Sequence, residues 1–513
     1  MATNAPNAPN APNGDVPAIP APRVPLYRTI ADAIIRDIRR GRHVEGERLP
    51  ASRDLARALE VNRATVHQAL QILKSEGWVE TNKGGGTRVA RRSITGPVLG
   101  PAPAWDRIAS SLLTRILAEP PAVEPVAMPY DLSRLAPDER DFPAATFAAL
   151  LADVARDGSL LSYGSPFGYR PLRETLAARL AKRGIPADPE ALLIVNGAQQ
   201  GLDLITRALV DPGDAVVVET PSYAGALSLL RAHRARLLGV PLDEDGLVPA
   251  ALERALVEKP KFVYTIPDFQ NPTGLLSSAP RRAEIARIAA AAGVLLVEDA
   301  FDADLLVEGE LPPPFAAFAP KHVIHLGTIS KALFPGVRVG WISGPKEFVH
   351  RLAALKRVGE LTSPPVLQAA VNLFLVRGDY DRHLARMRSR LKNRLALAHR
   401  TILSRFPIGT RALKPSGGYV LWAELPPGVS GRALAAAARE KGVLLSAGAD
   451  FRPDQADVSA IRISVARGSA SDLEKALEVV GAAARDLARQ AVRRQKAPAK
   501  ETRDAAEAAL IQI

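Results

Sequence analysis

The stretch His325 to Trp341, HLGTISKALFPGVRVGW, sets one lysine in a run that is otherwise small, apolar or punctuated by glycine, with an arginine seven places on. The pattern starts as a buried strand and turns into a loop. An amine attacks a carbonyl only when unprotonated, and a desolvated position near positive charge lowers its pKa toward neutrality. Lys331 stands in such a position, with Arg338 beyond it. A lone Ser-Lys pair is also what a surface lysine snorkelling to solvent looks like, so the surroundings have to decide.

From Asp188 onward the chain alternates short β-branched runs with helical periods: LLIVNG, AVVVE, KFVYTIP, VLLVED, VIHLGTI and VRVGWISG. Strands interleaved with helices require crossover connections, which give an α/β fold with a mostly parallel sheet, helices on both faces and ligands at the carboxyl ends of the strands. A long helical span from about Pro365 to Arg405 follows, and then GGYVLWAEL, VLLSAG and AIRISVA alternate with helices in a smaller α+β part.

The totals set limits on what else is present. The 513 residues suggest about three compact units, and 47% hydrophobic with 24% charged residues is the composition of a chain that buries a core. The formal charge is +13, and it is concentrated: residues 23–92 hold fifteen Arg and Lys against eight Asp and Glu, and the tail from Gly481 holds seven against four. A concentrated excess points to a polyanionic partner. The chain has no cysteine, which excludes disulfides and thiolate metal sites, and we expect no metal. No apolar run approaches a membrane span and the start, MATNAPNAPNAPNG, lacks the apolar segment of a signal peptide, so a cytoplasmic protein with no membrane partner is expected.

The expected organisation is a disordered arm over 1–22, where Asn-Ala-Pro repeats offer nothing to pack; a helical module over 23–92; a Pro- and Gly-bearing linker over 93–104; a large domain over 105–488 whose smaller part occupies about 380–488; and a basic tail over 489–513. An amphipathic helix near Trp105 opens the large domain.

In the front module, GERLPASRDLARALEVNRATVHQALQILKSEGWVETNKGGGTRVA holds two helical periods separated by a break at Glu60 to Asn62. Leu55, Ala58 and Leu59 are expected to pack against Val66, Leu70 and Leu73, leaving Arg63, Thr65, His67 and Gln68 on or near the outer face of the second helix. Two short strands around a Gly-rich tip then form a wing. The segment resembles the winged helix-turn-helix of GntR-type regulators, from PLYRTIADAI through SEGWVETNKGGGTRVA. That resemblance implies contacts to a double-stranded DNA operator from Arg53, Asn62, Arg63, Thr65, His67, Lys83 and Gly84.

The larger region supplies the company that the lysine needs. IPDFQNPTG ends a strand in a turn where Asn271 can aim its amide at the sheet's carboxyl edge, and VLLVEDAF ends another with Asp299 beyond four apolar residues. A carboxylate buried there needs a cationic partner, and a protonated pyridine nitrogen is one. NGAQQGLDL opens a helix at Ala198 and Gln199, whose free amides, with Thr328, Ser330 and Arg338, suit a phosphate; Tyr223 in ETPSYAGA can stack on a flat ring. Each has a plain structural alternative: Asn271 as a turn residue, Asp299 as a cap or ion pair, Tyr223 as core. Together they describe a site for pyridoxal 5'-phosphate, with its aldehyde on the catalytic residue Lys331.

NPTG, ED and SKxLxPGxRxG in this order resemble the fold-type I aminotransferases, over about Trp105 to Ala484. Behind a GntR-type module, the whole is similar to the MocR-type transcriptional regulators. The resemblance implies that Arg462 in IRISVA grips a ligand carboxylate, that Tyr163 in SYGSPFGYRPLRE reaches a neighbouring subunit's cofactor phosphate, and that the protein is a homodimer. Two departures stand out. Ala300 and Phe301 occupy the place of a tyrosine that commonly supports the cofactor's phenolic oxygen, and Leu135 replaces a glycine. The expected function is a DNA-binding regulator that senses an amine, an amino acid or the cofactor itself through an aldimine at Lys331. The alternative is an active aminotransferase with an accessory DNA-binding domain.

Overall fold

The computed structural model describes residues 25–82, 86–90, 105–118 and 128–496. The arm 1–22, the linker 93–104, the end of the tail and the wing-tip pair Lys83 and Gly84 lie outside the described residues. Two compact units are present, one ending at Trp105 and the other starting at Asp106.

The first unit holds α1 (Leu26–Arg39), α2 (Ser52–Ala58), α3 (Arg63–Ser75), β1 (Val79–Asn82) and β2 (Gly86–Val89). Ile30, Ala31 and Ile35 of α1 share a core with Ala69 and Leu73 of α3, and Leu49, Val79 and Val89 join it. β1 and β2 pair antiparallel from Val79↔Val89 to Asn82↔Gly86, which is the expected wing hairpin. The inward face of α2 differs from expectation: Ala56 is buried, whereas Ala58 is exposed and Leu59 is 46% exposed. The helix has already ended at Leu59, its C-cap, and the chain then turns through Glu60 at φ 51°, so Leu59 never joins the helical face.

In the second unit β3 (Tyr130–Asp131) precedes eight strands of one sheet: β4 (Leu192–Val195), β5 (Ala215–Thr220), β6 (Arg236–Asp243), β7 (Gly246–Leu247), β8 (Phe262–Thr265), β9 (Leu295–Ala300), β10 (Val323–Thr328) and β11 (Gly340–Ser343). Their order is β4-β11-β10-β9-β8-β5-β6-β7. β10, β9, β8, β5 and β6 run parallel, while β11 and β7 are antiparallel to their neighbours. β6, RLLGVPLD, is a strand that apolar runs alone do not announce, because Val240 is its one buried residue and the others are exposed or half-buried.

Period-two alternation places successive apolar side chains on opposite faces, and both faces are covered. Leu193, Val216, Tyr264, Val297 and Leu326 pack against Leu202, Leu227 and Leu352 of helices Ala198–Leu209, Ala224–Ala232 and Lys346–Glu360. Leu192, Val217, Val263 and Leu296 pack on the other face with Leu176, Leu252, Ile285 and Phe374 of helices Arg170–Ala181, Pro249–Leu256, Ala279–Ala291 and Pro365–Val376. The long helical span expected after Pro365 is broken by Gly378 at φ 73°, where helix Asp379–Arg405 begins.

The smaller part is a four-stranded sheet of β12 (Arg411–Ala412), β13 (Val420–Glu424), β15 (Ser446–Ala447) and β16 (Ala460–Ser464), while β14 (Val443–Leu444) pairs parallel with the distant β3. Residues 489–496 continue helix Ala470–Lys496. Among the described residues no helix is long and apolar enough to cross a membrane.

Candidate functional site

Four adjacent parallel strands, β5, β8, β9 and β10, end on one edge, and each delivers a site residue there: Tyr223, Asn271, Asp299 and Lys331. The register of the edge strands delivers the rest. Gly340 pairs with Val195, so Arg338, two residues before Gly340, lies beside the turn that leads from β4 into helix Ala198–Leu209. Lys331, Asn271, Asp299, Arg338, Tyr223, Ala198, Gln199, Thr328, Ser330 and Arg462 line one cavity of about 270 Å³. Tyr163 does not line it; it is 81% exposed, on the surface of its own chain.

The EDAF segment puts one acid on each face of the sheet. Glu298 accepts from the Phe315 amide at 2.8 Å and lies 3.1 Å from His325 Nδ1, whereas Asp299 turns to the cavity. Asp299 is buried; its Oδ2 accepts from the Tyr264 hydroxyl at 2.7 Å and its Oδ1 has no partner. Burial pushes this carboxyl up to about 6, against the hydrogen bond from Tyr264 and the nearby His325 and Lys331. An orphaned buried acceptor facing a cavity is what a pyridinium N–H would satisfy.

The Lys331 amine donates to the Leu135 carbonyl at 2.6 Å, and the Lys331 carbonyl accepts from the Tyr419 hydroxyl at 2.9 Å. Burial is the largest influence on the amine and lowers its pKa; Arg462 and Arg338 lower it further, while Asp302 and Asp299 pull the other way. The departure at Leu135 therefore touches the lysine itself, through the backbone.

On the phosphate side, helix Ala198–Leu209 has Gly197 as its N-cap, at φ 79°, and no side chain caps it, so its first-turn amides remain available to an anion. Arg338, itself in the left-handed region at φ 47°, donates to the Asn196 carbonyl at 2.5 Å and lies so close that a Cβ on Gly197 would stand 2.9 Å from its guanidinium. Thr328 spends its hydroxyl on the loop, donating to Val339 O at 3.0 Å and accepting from the Ser330 amide at 3.1 Å. Tyr223 donates to Gln199 at 3.2 Å.

Arg462 is buried, donates to Asn271 Oδ1 at 3.1 Å and to Ser446 Oγ at 3.0 Å, and also bonds the Ser133 carbonyl; its Nε has no partner. Its guanidinium sits 4.8 Å from the Phe451 ring, and burial lowers its pKa to about 10. With Oδ1 of Asn271 used by this arginine, the Asn271 amide nitrogen is the group left to donate into the cavity. Ser133, Tyr264 and Tyr419 were not singled out from sequence. Tyr264 carried a usable signal, because a phenol inside a fully buried strand needs a partner for its hydroxyl.

In the first unit, Arg53, Arg63 and His67 are exposed and Thr65 is half-buried. Asn62 caps α3, accepting from the Thr65 amide at 2.8 Å and its hydroxyl at 2.9 Å, which fixes the start of the helix that carries Arg63 and His67. Arg63 Nε reaches Ser52 Oγ at 3.4 Å.

Residues 134–480 match the family described as aminotransferase class I and II, and residues 26–89 match the bacterial regulatory proteins of the gntR family. The chain belongs to the class I and II aminotransferase family, with a gntR-family module in front. That combination is the one of the MocR-type regulators. The aminotransferase-family chain is 32% identical over 473 residues to an uncharacterized HTH-type transcriptional regulator of Bacillus subtilis, covering 91% of this chain and 98% of that one. It is 32% identical to a 2-aminoadipate transaminase of Thermus thermophilus, covering 67% and 87%. Among solved structures, a kynurenine aminotransferase of Pyrococcus horikoshii, in complex with PMP, superposes at a TM-score of 0.70 with 28% identity, over 75% of this chain and 98% of that one. Pyridoxal phosphate is the cofactor such a fold carries, and the orphaned Asp299 oxygen, the uncapped helix and the lysine whose pKa burial lowers, all in one cavity, fit it.

Proposed function

We propose that the chain is a cytoplasmic, homodimeric transcriptional regulator that binds operator DNA through its winged helix and takes an amine or amino acid as effector at pyridoxal phosphate held on Lys331. The observation that carries the reading is the cavity: a desolvated lysine, an unpartnered buried carboxylate oxygen and an anion cradle share about 270 Å³. When bound, the cofactor supplies an aldehyde carbon open to exchange between amines and a ring that draws electrons from that carbon. Asp299 would hold the ring nitrogen, Asn271 the phenolic oxygen, Tyr223 a ring face, and Arg338 with the amides of Ala198 and Gln199 the phosphate. Arg462 would receive an effector carboxylate at Nε. Tyr163, exposed on its own chain, would serve the neighbouring subunit's phosphate. Arg53, Arg63, His67 and the wing tip would meet the DNA.

A switch requires that the effector bind two arrangements of the protein with different affinity. A second reading, an active aminotransferase, draws support from the likeness to the 2-aminoadipate transaminase. One experiment separates them. The purified protein is titrated with amines and amino acids, with and without 2-oxoglutarate, while the visible spectrum, keto acid release and operator footprint are followed. A spectral change that alters the footprint without sustained turnover supports the regulator; continuous keto acid release with an unaltered footprint rejects it in favour of the enzyme.

A further inference from the structure

A second cavity, of about 340 Å³, adjoins the ends of β9 and β10. Successive residues divide between the two cavities. Asp299 and Phe301 line the first and Ala300 and Ala303 the second; Ser330 and Lys331 line the first and Ile329 the second; Thr328 walls both. One layer of chain therefore separates them, and of the residues assigned above to the cofactor only Thr328 reaches the second.

The inner wall is apolar. Leu176 and Leu180 of helix Arg170–Ala181, Leu375 of helix Pro365–Val376 and Ile329 are each at most 5% exposed. Trp341 of β11 completes it. Its ring lies against Gly327 of the paired β10, where a Cβ would stand 2.4 Å from two of the ring carbons, so only glycine lets the ring take this place. Trp341 is 8% exposed and its Nε1–H has no hydrogen-bond partner. A buried donor left unmatched is destabilising, and an acceptor on a bound molecule would relieve it.

The charged side chains of the wall also leave donors over. Asp381 accepts from Arg179 on both oxygens, at 2.9 and 3.3 Å, and Asp304 accepts from the Tyr380 hydroxyl at 2.5 Å. Arg183 pairs at 3.1 Å with Asp268, which does not line the cavity. Lys182, exposed at the end of helix Arg170–Ala181, has no ion pair among the described residues. Three cations, Arg179, Lys182 and Arg183, thus share the wall with two acids that are already engaged.

We infer that this cavity is a second ligand site, which binds a small organic anion: a carboxylate on an apolar body about the size of one ring. The body lies among Leu176, Leu375 and the Trp341 ring, and the carboxylate takes the donors that the protein leaves free. The site needs no cofactor and stands apart from the reading of Lys331.

Phenylacetate is the probe and phenylacetamide its neutral counterpart, each titrated into the full chain by calorimetry and tryptophan fluorescence. The wild type should bind phenylacetate saturably, and the amide at least about tenfold more weakly. Ala303→Leu, which fills part of the cavity, should weaken phenylacetate by about tenfold or more. Lys182→Ala should weaken it roughly threefold. Trp341→Phe keeps an aromatic wall and removes the N–H; it should weaken binding roughly fivefold and lose the fluorescence response. Should Ala303→Leu fail to fold, Lys182→Ala, at an exposed position, and Trp341→Phe carry the test. No saturable binding to the wild type, or equal affinity for acid and amide, overturns the inference. Binding that these variants leave unchanged does so too, as does binding that Arg462→Ala abolishes, since that arginine lines the first cavity.

Discussion

Asp299→Asn keeps the shape of the side chain and removes its charge, and the structure gives the size of the effect. Burial raises this carboxyl from its usual 3.8 to about 6, which corresponds to ~3 kcal/mol of unmet need for a positive partner. A pyridinium N–H at the orphaned Oδ1 meets that need, so at pH 8 the wild type should bind pyridoxal phosphate roughly 100-fold more tightly than Asp299→Asn. The sign of the pH dependence follows from the raised value. As pH falls through 6, Asp299 takes up a proton in the free protein, its negative charge disappears, and the wild-type advantage should shrink toward unity. Taking the ratio of the two dissociation constants at each pH, by absorbance titration, cancels the titration of the cofactor's own phosphate. Equal affinity of the two proteins at pH 8, or a ratio that grows on acidification, refutes the assignment of Asp299 to the ring nitrogen.

Arg63→Ala should abolish retardation of operator DNA while leaving the cofactor's visible band unchanged, and wild-type binding should fall with log salt at a slope of about -0.9 per neutralised phosphate, both read by gel shift. Asn62→Ala removes the α3 cap and should cost about 1 kcal/mol of stability in denaturant unfolding, with operator affinity reduced alongside. Gly197→Ala puts a Cβ 2.9 Å from the Arg338 guanidinium at a backbone φ of 79°; pyridoxal phosphate affinity should drop at least tenfold, whereas pyridoxal without the phosphate should be little affected. Arg462→Ala should erase any preference for amino acids over amines lacking a carboxylate, a loss of ~1.5 to 3 kcal/mol in spectral titrations.

Much of the site was legible because its signals are local. Strands buried on both faces appear as unbroken apolar runs, so the ends of β5, β8, β9 and β10 could be located and Tyr223, Asn271, Asp299 and Lys331 assigned to one edge. What could not be read depends on partners far along the chain. β3 is two residues long and exists only because Val443 and Leu444 pair with it. Arg462 reaches Asn271 across 191 positions, and Lys331 reaches Leu135 across 196. Asp302 looks in sequence like an ordinary acid following a strand; its isolation appears only when the folded surroundings offer it no donor. Leu59 was misjudged for a nearer reason, since a helix that ends one residue early moves a side chain from core to surface.

The pairing of β3 with β14 also sets a timetable for biosynthesis. Tyr130 and Asp131 leave the ribosome about 310 residues before Val443 and Leu444, a delay of roughly 15 to 60 s at ordinary elongation rates. Throughout that interval Ser133 and Leu135, which wall the cavity, lack the anchor that later fixes them. The nascent chain can therefore complete its winged-helix unit while the cavity of the larger unit is still open, and a message truncated before codon 443 would yield a product with the former and not the latter.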